Sequence, residues 1–399
     1  MAVTLDHDTL LPVLKSLLFT PAADGWGLPF LLVGEPGTAK SAALDALVRS
    51  CGLTGGALTL IGSTCDPTEF GGVPSPDPDR PGFVRALYPE WAGRVQAWDG
   101  EGGAVLLDEI TSVPGTTQAA MLGLVLNRRV GGLRFGPRVR FLAACNPPAI
   151  AVSGQDLAAP MANRFAHFTW EGPGVDTLAG VWGMDDHERA TAIAPIDAAA
   201  LEARVLAEWP EQAARAQTEV LGYLRRAPVA HRQCCPDPSS PAASGPWPSS
   251  RTWEYAWRAV AGARIHGLAD DALHAVVAAC VGDAAAVGFF SWLRQHDLPS
   301  PVAVLDQQVT WGVQPGRPDR TQVVFDGLAA TLKATKDQGL LARRAVVYWV
   351  KVAEAVAAGC PDLAHRATLQ VSLLSAVVNT LPEAVGPRRA MAGYQGQLR

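Results

Sequence analysis

The chain has 399 residues, 48% of them hydrophobic and 18% charged, with 33 Lys plus Arg against 38 Asp plus Glu and a net charge of -5. That length suggests two or three domains, the apolar share excludes a disordered polyelectrolyte, and the acidic balance excludes a protein that coats nucleic acid with a general positive field. The acidic start, Met1 to Asp8, is unlike a signal peptide, no window reaches about 18 uninterrupted apolar residues, and the seven cysteines include no C-x-x-C pair, so a cytoplasmic protein with no membrane association is expected.

The first informative stretch is Phe30-Leu-Leu-Val-Gly, a short apolar run of the kind that forms a buried parallel strand. It leads into Gly34-Glu35-Pro36-Gly37-Thr38-Ala39-Lys40-Ser41-Ala42, and Ala42 to Ser50 reads as a helix. Strand, glycine loop and helix in this order form a phosphate cradle: helix N-terminal N–H groups face the anion, Lys40 reaches the phosphates, and the Ser41 hydroxyl can bind Mg²⁺. The chain has only five lysines, which makes Lys40 a telling choice over arginine. Ala39 replaces the second glycine of G-x-x-x-x-G-K-[ST], which predicts that this position does not need a positive φ. An ordinary strand, turn and helix carrying a chance Lys-Ser is the alternative.

Residues 66–98 contain Phe70-Gly-Gly-Val-Pro-Ser-Pro-Asp-Pro-Asp-Arg-Pro-Gly82, a run of turn residues that excludes a helix. Next, Ala104 to Glu109 is an apolar strand ending in two acids, which are costly there unless a cation sits nearby. Asp108 would hold Mg²⁺ and Glu109 would deprotonate the attacking water; otherwise the acids and Thr111-Ser112 cap the following helix. Leu126 to Phe135 reads as a hairpin turning at Gly131-Gly132, and Arg128, Arg129, Arg134, Arg138 and Arg140 form the concentrated basic segment, a solvated face or a phosphate contact. The strand Val139 to Cys145 ends at Asn146, whose amide can bind a phosphate or water, or start a turn before Pro147.

The remainder is helical by pattern, with Ala198–Ala207, Glu211–Arg225, Arg251–Ile265, Asp270–Cys280 and Asp283–His296, then Gly327–Gly339, Leu340–Ala358 and Leu363–Thr380 beyond the boundary at Pro299-Ser-Pro301. His231, Cys234 and Cys235 have the wrong spacing for zinc.

The order of these motifs resembles the AAA+ superfamily and, within it, the MoxR-like and dynein-related group over roughly residues 10–300. Gly34 to Ser41 resembles Walker A, Asp108 and Glu109 resemble Walker B, Asn146 resembles sensor 1, Asn163-Arg164-Phe165 resembles the segment carrying the arginine finger, and Ser249-Ser250-Arg251-Thr252-Trp253 resembles sensor 2. The insert at 66–98 and the hairpin before Asn146 resemble two protrusions of that group. The resemblance implies an α/β fold, a P-loop αβα sandwich with a parallel sheet in residues 1–174, an all-α lid in 175–298 and a helical C-terminal region in 299–399. It implies ATP and Mg²⁺ as cofactors, with the loop residues and Arg251 on the nucleotide, Ser41 and Asp108 on the metal, and Lys40, Glu109, Asn146 and Arg164 in catalysis. A finger acting in trans implies a homo-oligomeric ring, by resemblance a hexamer; the alternative for Arg164 is a surface or salt-bridged arginine. The partner implied is a protein client, with von Willebrand A domain proteins among the candidates. A restriction-type nucleic-acid motor and a nucleotide-gated scaffold with little turnover are the alternatives.

Overall fold

A computed structural model describes residues 3–5, 7–98, 100–151, 154–182, 196–296, 298–372, 374 and 381–395. Its centre is a sheet of six parallel strands: β1 (Val3–Thr4), β2 (Phe30–Val33), β3 (Ala57–Ile61), β4 (Gly103–Asp108), β5 (Val139–Cys145) and β6 (Ala166–Thr169). They lie in the order β1-β6-β2-β5-β4-β3, so one strand, β5, separates the loop-bearing strand from the strand that ends in two acids. β5 is buried along its whole length and β4 at every residue but Asp108, as expected of sheet strands covered on both faces.

Register decides what the sheet can do. Val33 lies opposite both Cys145 and Thr169, and Asp108 lies opposite Ile61. All these strands run the same way, so their carboxyl ends, and the chain that leaves them, share one edge. In open α/β sheets that edge is where ligands bind.

The chain divides into two compact units, residues 1–206 with 228–287, and residues 207–227 with 288–399. These limits fall elsewhere than the sequence-derived boundaries at 174 and 298: helices Ser250–Ile265 and Asp270–Val281 belong to the same unit as the sheet. The sequence pattern predicts two helices at 198–225, but Ala198–Leu224 is a single helix that continues through Pro210. Proline removes one helical hydrogen bond, and the alanine-rich turns on both sides carry the helix across it.

The second unit has its own core around Phe325, Tyr348 and Trp349. Its helices include Pro318–Ala334, Gln338–Ala357, Pro361–Val371 and Pro382–Gln395. Gly327, expected to begin a helix, lies inside the first of these, at a point where a Cβ would be 2.8 Å from Pro301 Cγ. The predicted end at Thr380 lies outside the described residues.

Both predicted protrusions are present in the first unit. The stretch 66–98 holds an antiparallel hairpin, Val73–Pro76 with Val84–Leu87, and the pre-Asn146 hairpin pairs Arg129–Val130 with Leu133–Arg134 through Gly131 at φ 54°. They lie against each other, since a Cβ on Gly72 would be 3.3 Å from Gly131 Cα. The arginine run is not one solvated face. Arg140 is fully buried, bonded to Glu202 Oε1 at 2.7 Å and to Leu18 O at 3.1 Å. Arg128 is also buried, bonds Gly136 O at 2.7 Å and lies over the Phe141 ring, and Arg138 pairs with Glu202 at 2.9 Å. Arg128 thus ties the end of the hairpin to β5 and Arg138 and Arg140 tie β5 to Glu202, while Arg129 and Arg134 are exposed.

Candidate functional site

The loop Gly34 to Ala39 leaves β2 at the carboxyl edge and enters the helix Lys40–Ser50. Gly34 is required by space: a Cβ there would lie 2.4 Å from Trp170 O. Gly37 turns at φ 79°. Ala39 corrects the sequence expectation, because it is held at φ 59° and ψ 30°, the left-handed region that costs a residue with a Cβ about 1–2 kcal/mol. The loop needs the glycine conformation there and imposes it on alanine. Ala39→Gly is therefore expected to stabilise the fold by roughly 0.5 kcal/mol, the relieved strain less the extra unfolded-state entropy of glycine. An unchanged or raised urea midpoint accords with this, and a clear fall would contradict it.

Lys40 is buried and uses its three N–H donors on Gly34 O at 2.9 Å, Glu35 O at 2.7 Å and Asn146 Oδ1 at 3.0 Å. Burial holds its ammonium below the ordinary lysine pKa, while the charge of Asp108 acts in the opposite direction. The Ser41 hydroxyl donates to Asp108 Oδ2, and Asp108 Oδ1 accepts from the Glu109 N–H at 2.8 Å. Four of the predicted residues, Lys40, Ser41, Asp108 and Asn146, are thus linked in pairs across three strand ends, and Glu109 adjoins them.

Two residues that the motif reading passed over, Ser63 and Trp170, and one that it offered as a helix cap, Thr111, complete this edge. Ser63, in the turn after β3, donates to Glu109 Oε2 at 2.5 Å, and Gly62 beside it must lack a Cβ, which would lie 2.7 Å from Val113 Cγ1. Glu109 itself has φ 56°, a strained backbone for a glutamate. Thr111 is buried and donates to Asn146 O at 2.9 Å, so it positions Asn146 and does not cap a helix; the helix that follows begins at Gly115. Trp170, at the end of β6, donates from Nε1 to Thr38 O at 2.8 Å and ties the loop to its other neighbour. The available signal was a polar or aromatic residue within three positions of a strand's end.

Arg164 and Arg251 form a second cluster. Ser249 caps the helix Ser250–Ile265 in a reciprocal box with Thr252 and also donates to Asn163 Oδ1 at 2.8 Å, which fixes Arg251 in the first turn. Arg251 Nη1 is 3.5 Å from Asn163 Oδ1, and Arg164 donates to Pro160 O of its own chain while its Nε is buried without a partner. Burial first, and then the Arg251 guanidinium, lower the Arg164 pKa. Among the described residues, no hydrogen bond or ion pair links either arginine to Lys40, Ser41 or Asp108.

The parallel sheet, the loop at its edge and the paired acids define an α/β P-loop fold with helices following it. Among solved structures the chain is similar to a candidate ATPase from Cytophaga hutchinsonii, with 13% identity, a TM-score of 0.46, and 70% of this chain and 82% of that one covered. No protein-family model and no curated protein matches the chain. No helix among the described residues is long and apolar enough to cross a membrane.

Proposed function

We propose that the chain is a MoxR-like AAA+ ATPase that hydrolyses ATP to ADP and phosphate in a ring oligomer, a hexamer by resemblance, and so remodels or activates a protein client. A partner bearing a von Willebrand A domain fits that role. The observation that carries the reading is the assembly at one sheet edge of Lys40, the Ser41–Asp108 pair, Glu109 and Asn146.

The chemistry assigned to each follows from its position. The N–H groups of the loop and the Lys40 ammonium receive the triphosphate oxygens. Ser41 and Asp108 offer the oxygen donors that a hard divalent cation takes, so they would hold Mg²⁺. When bound, that ion neutralises phosphate charge. Glu109 accepts a proton from the water that adds to the γ-phosphorus as ADP leaves, and the Asn146 amide orients that water or the phosphate.

Measuring phosphate release with ATP and Mg²⁺, alongside binding of a fluorescent ATP analogue, tests the proposal. Lys40→Ala is expected to lose both signals. Phosphate release that persists undiminished in that variant would remove the loop from the function, and tight binding with no release by the unaltered chain would favour the scaffold reading.

A further inference from the structure

We infer that the second unit carries a docking groove for an acidic amphipathic helix of a partner protein, independently of the ATPase reading. The groove has a volume of about 680 Å³ and runs between the helices Ala198–Leu224 and Pro318–Ala334. The two helices approach closely at two points, where a Cβ on Gly222 would lie 3.0 Å from Val323 Cγ1 and one on Gly327 would lie 3.2 Å from Thr218 Cγ2. Beyond the second point Ala213 and Ala330 face the space from opposite sides and leave its floor low, with Trp209 and Leu221 along one wall. Leu221 is 55% exposed, an apolar side chain left to solvent in the groove itself.

The rim chooses the occupant. Lys333 and Lys336, two of the five lysines in the chain, are exposed at the groove, and Arg225 lies there too. The only carboxylate lining it among the described residues, Asp326, is already engaged by Arg225, Gln322 Nε2 and Gln370 Nε2. The Gln370 Oε1 atom is buried without a partner and offers an acceptor to an incoming N–H or O–H donor. An apolar trough with helical walls, open to solvent and edged by cations, matches the helix-in-groove mode of recognition. The apolar face of the partner helix would lie over Leu221 and Ala330, and its flanking Glu or Asp would meet the two lysines.

The test uses the full chain and a fluorescent peptide of about 20 residues, long enough to hold a helix, with Leu at i, i+3, i+4 and i+7 and Glu at the flanking positions. A twin with Lys in place of every Glu is the control. Fluorescence anisotropy is expected to show saturable binding of the Glu peptide only, weakened by added salt. Lys333→Glu with Lys336→Glu should weaken it at least about tenfold, and Ala330→Trp should weaken it by filling the trough without altering charge. Equal binding of both peptides, equal binding by unaltered and altered chains, or no binding of the Glu peptide up to about 1 mM overturns the inference. Groove variants that change the chain's sedimentation behaviour without added peptide would assign the trough to a second copy, which also overturns it. Unchanged circular dichroism in the lysine variants separates lost docking from lost folding.

Discussion

Replacing Glu109 with Gln is expected to leave nucleotide binding intact and to lower phosphate release by about 10²–10⁴-fold, the usual worth of a positioned general base. The amide keeps the size and polarity of the carboxylate and can still bond to Ser63, so the loop, Lys40 and the Ser41–Asp108 pair keep their geometry. What the substitution removes is a group able to take a proton. Normal phosphate release by a variant that binds nucleotide would show that another group activates the water. Ser63→Ala sharpens the assignment. It removes the 2.5 Å partner of the Glu109 carboxylate and leaves the carboxylate itself in place, so a smaller effect on turnover than Glu109→Gln is expected, again with binding retained. Equal losses in the two variants would mean that the Glu109 carboxylate works only when Ser63 holds it in place.

The residues proposed to carry chemistry stood out in the sequence because each proposed role needs a particular atom: an ammonium at Lys40, a hydroxyl at Ser41, carboxylates at Asp108 and Glu109, an amide at Asn146. The strands were legible for a different reason, since burial on both faces forces continuous apolar runs such as Phe30–Val33 and Val139–Cys145. The positioning residues were not. Ser63, Thr111 and Trp170 matter through a register that brings three other strands beside β4 or β2, and residue type alone does not encode which strands adjoin. Ala39 misled for a related reason: alanine states a preference against positive φ, but the loop overrides it locally. Arg128 and Arg140 misled because a charged residue is read as solvated by default, while here Glu202 and backbone carbonyls take both into the interior. The helix through Pro210 shows the same limit, as a single lost hydrogen bond is a weaker term than the turns flanking it.

Arg164→Ala is expected to reduce turnover by about 10³–10⁵-fold, the range for an arginine that stabilises a transferring phosphoryl group. The sharper experiment mixes Arg164→Ala chains with Lys40→Ala chains, each inactive alone. In a head-to-tail ring made from equal amounts, about a quarter of the interfaces set an intact loop against an intact Arg164, so activity should return to a measurable fraction. Arg164 bonds to Pro160 of its own chain and lies beside Arg251, with its Nε buried and unpartnered. Two guanidiniums brought together repel each other, and an anion between them would relieve that repulsion. Because Asn163 and Ser249 fix Arg251 at the same place, the two arginines should act on the same nucleotide. Arg251→Ala is therefore expected to be rescued by Lys40→Ala chains as Arg164→Ala is. Rescue of the Arg164 variant without rescue of the Arg251 variant would place Arg251 on its own chain's nucleotide, and no recovery of either in verified mixed assemblies would count against a trans role for both.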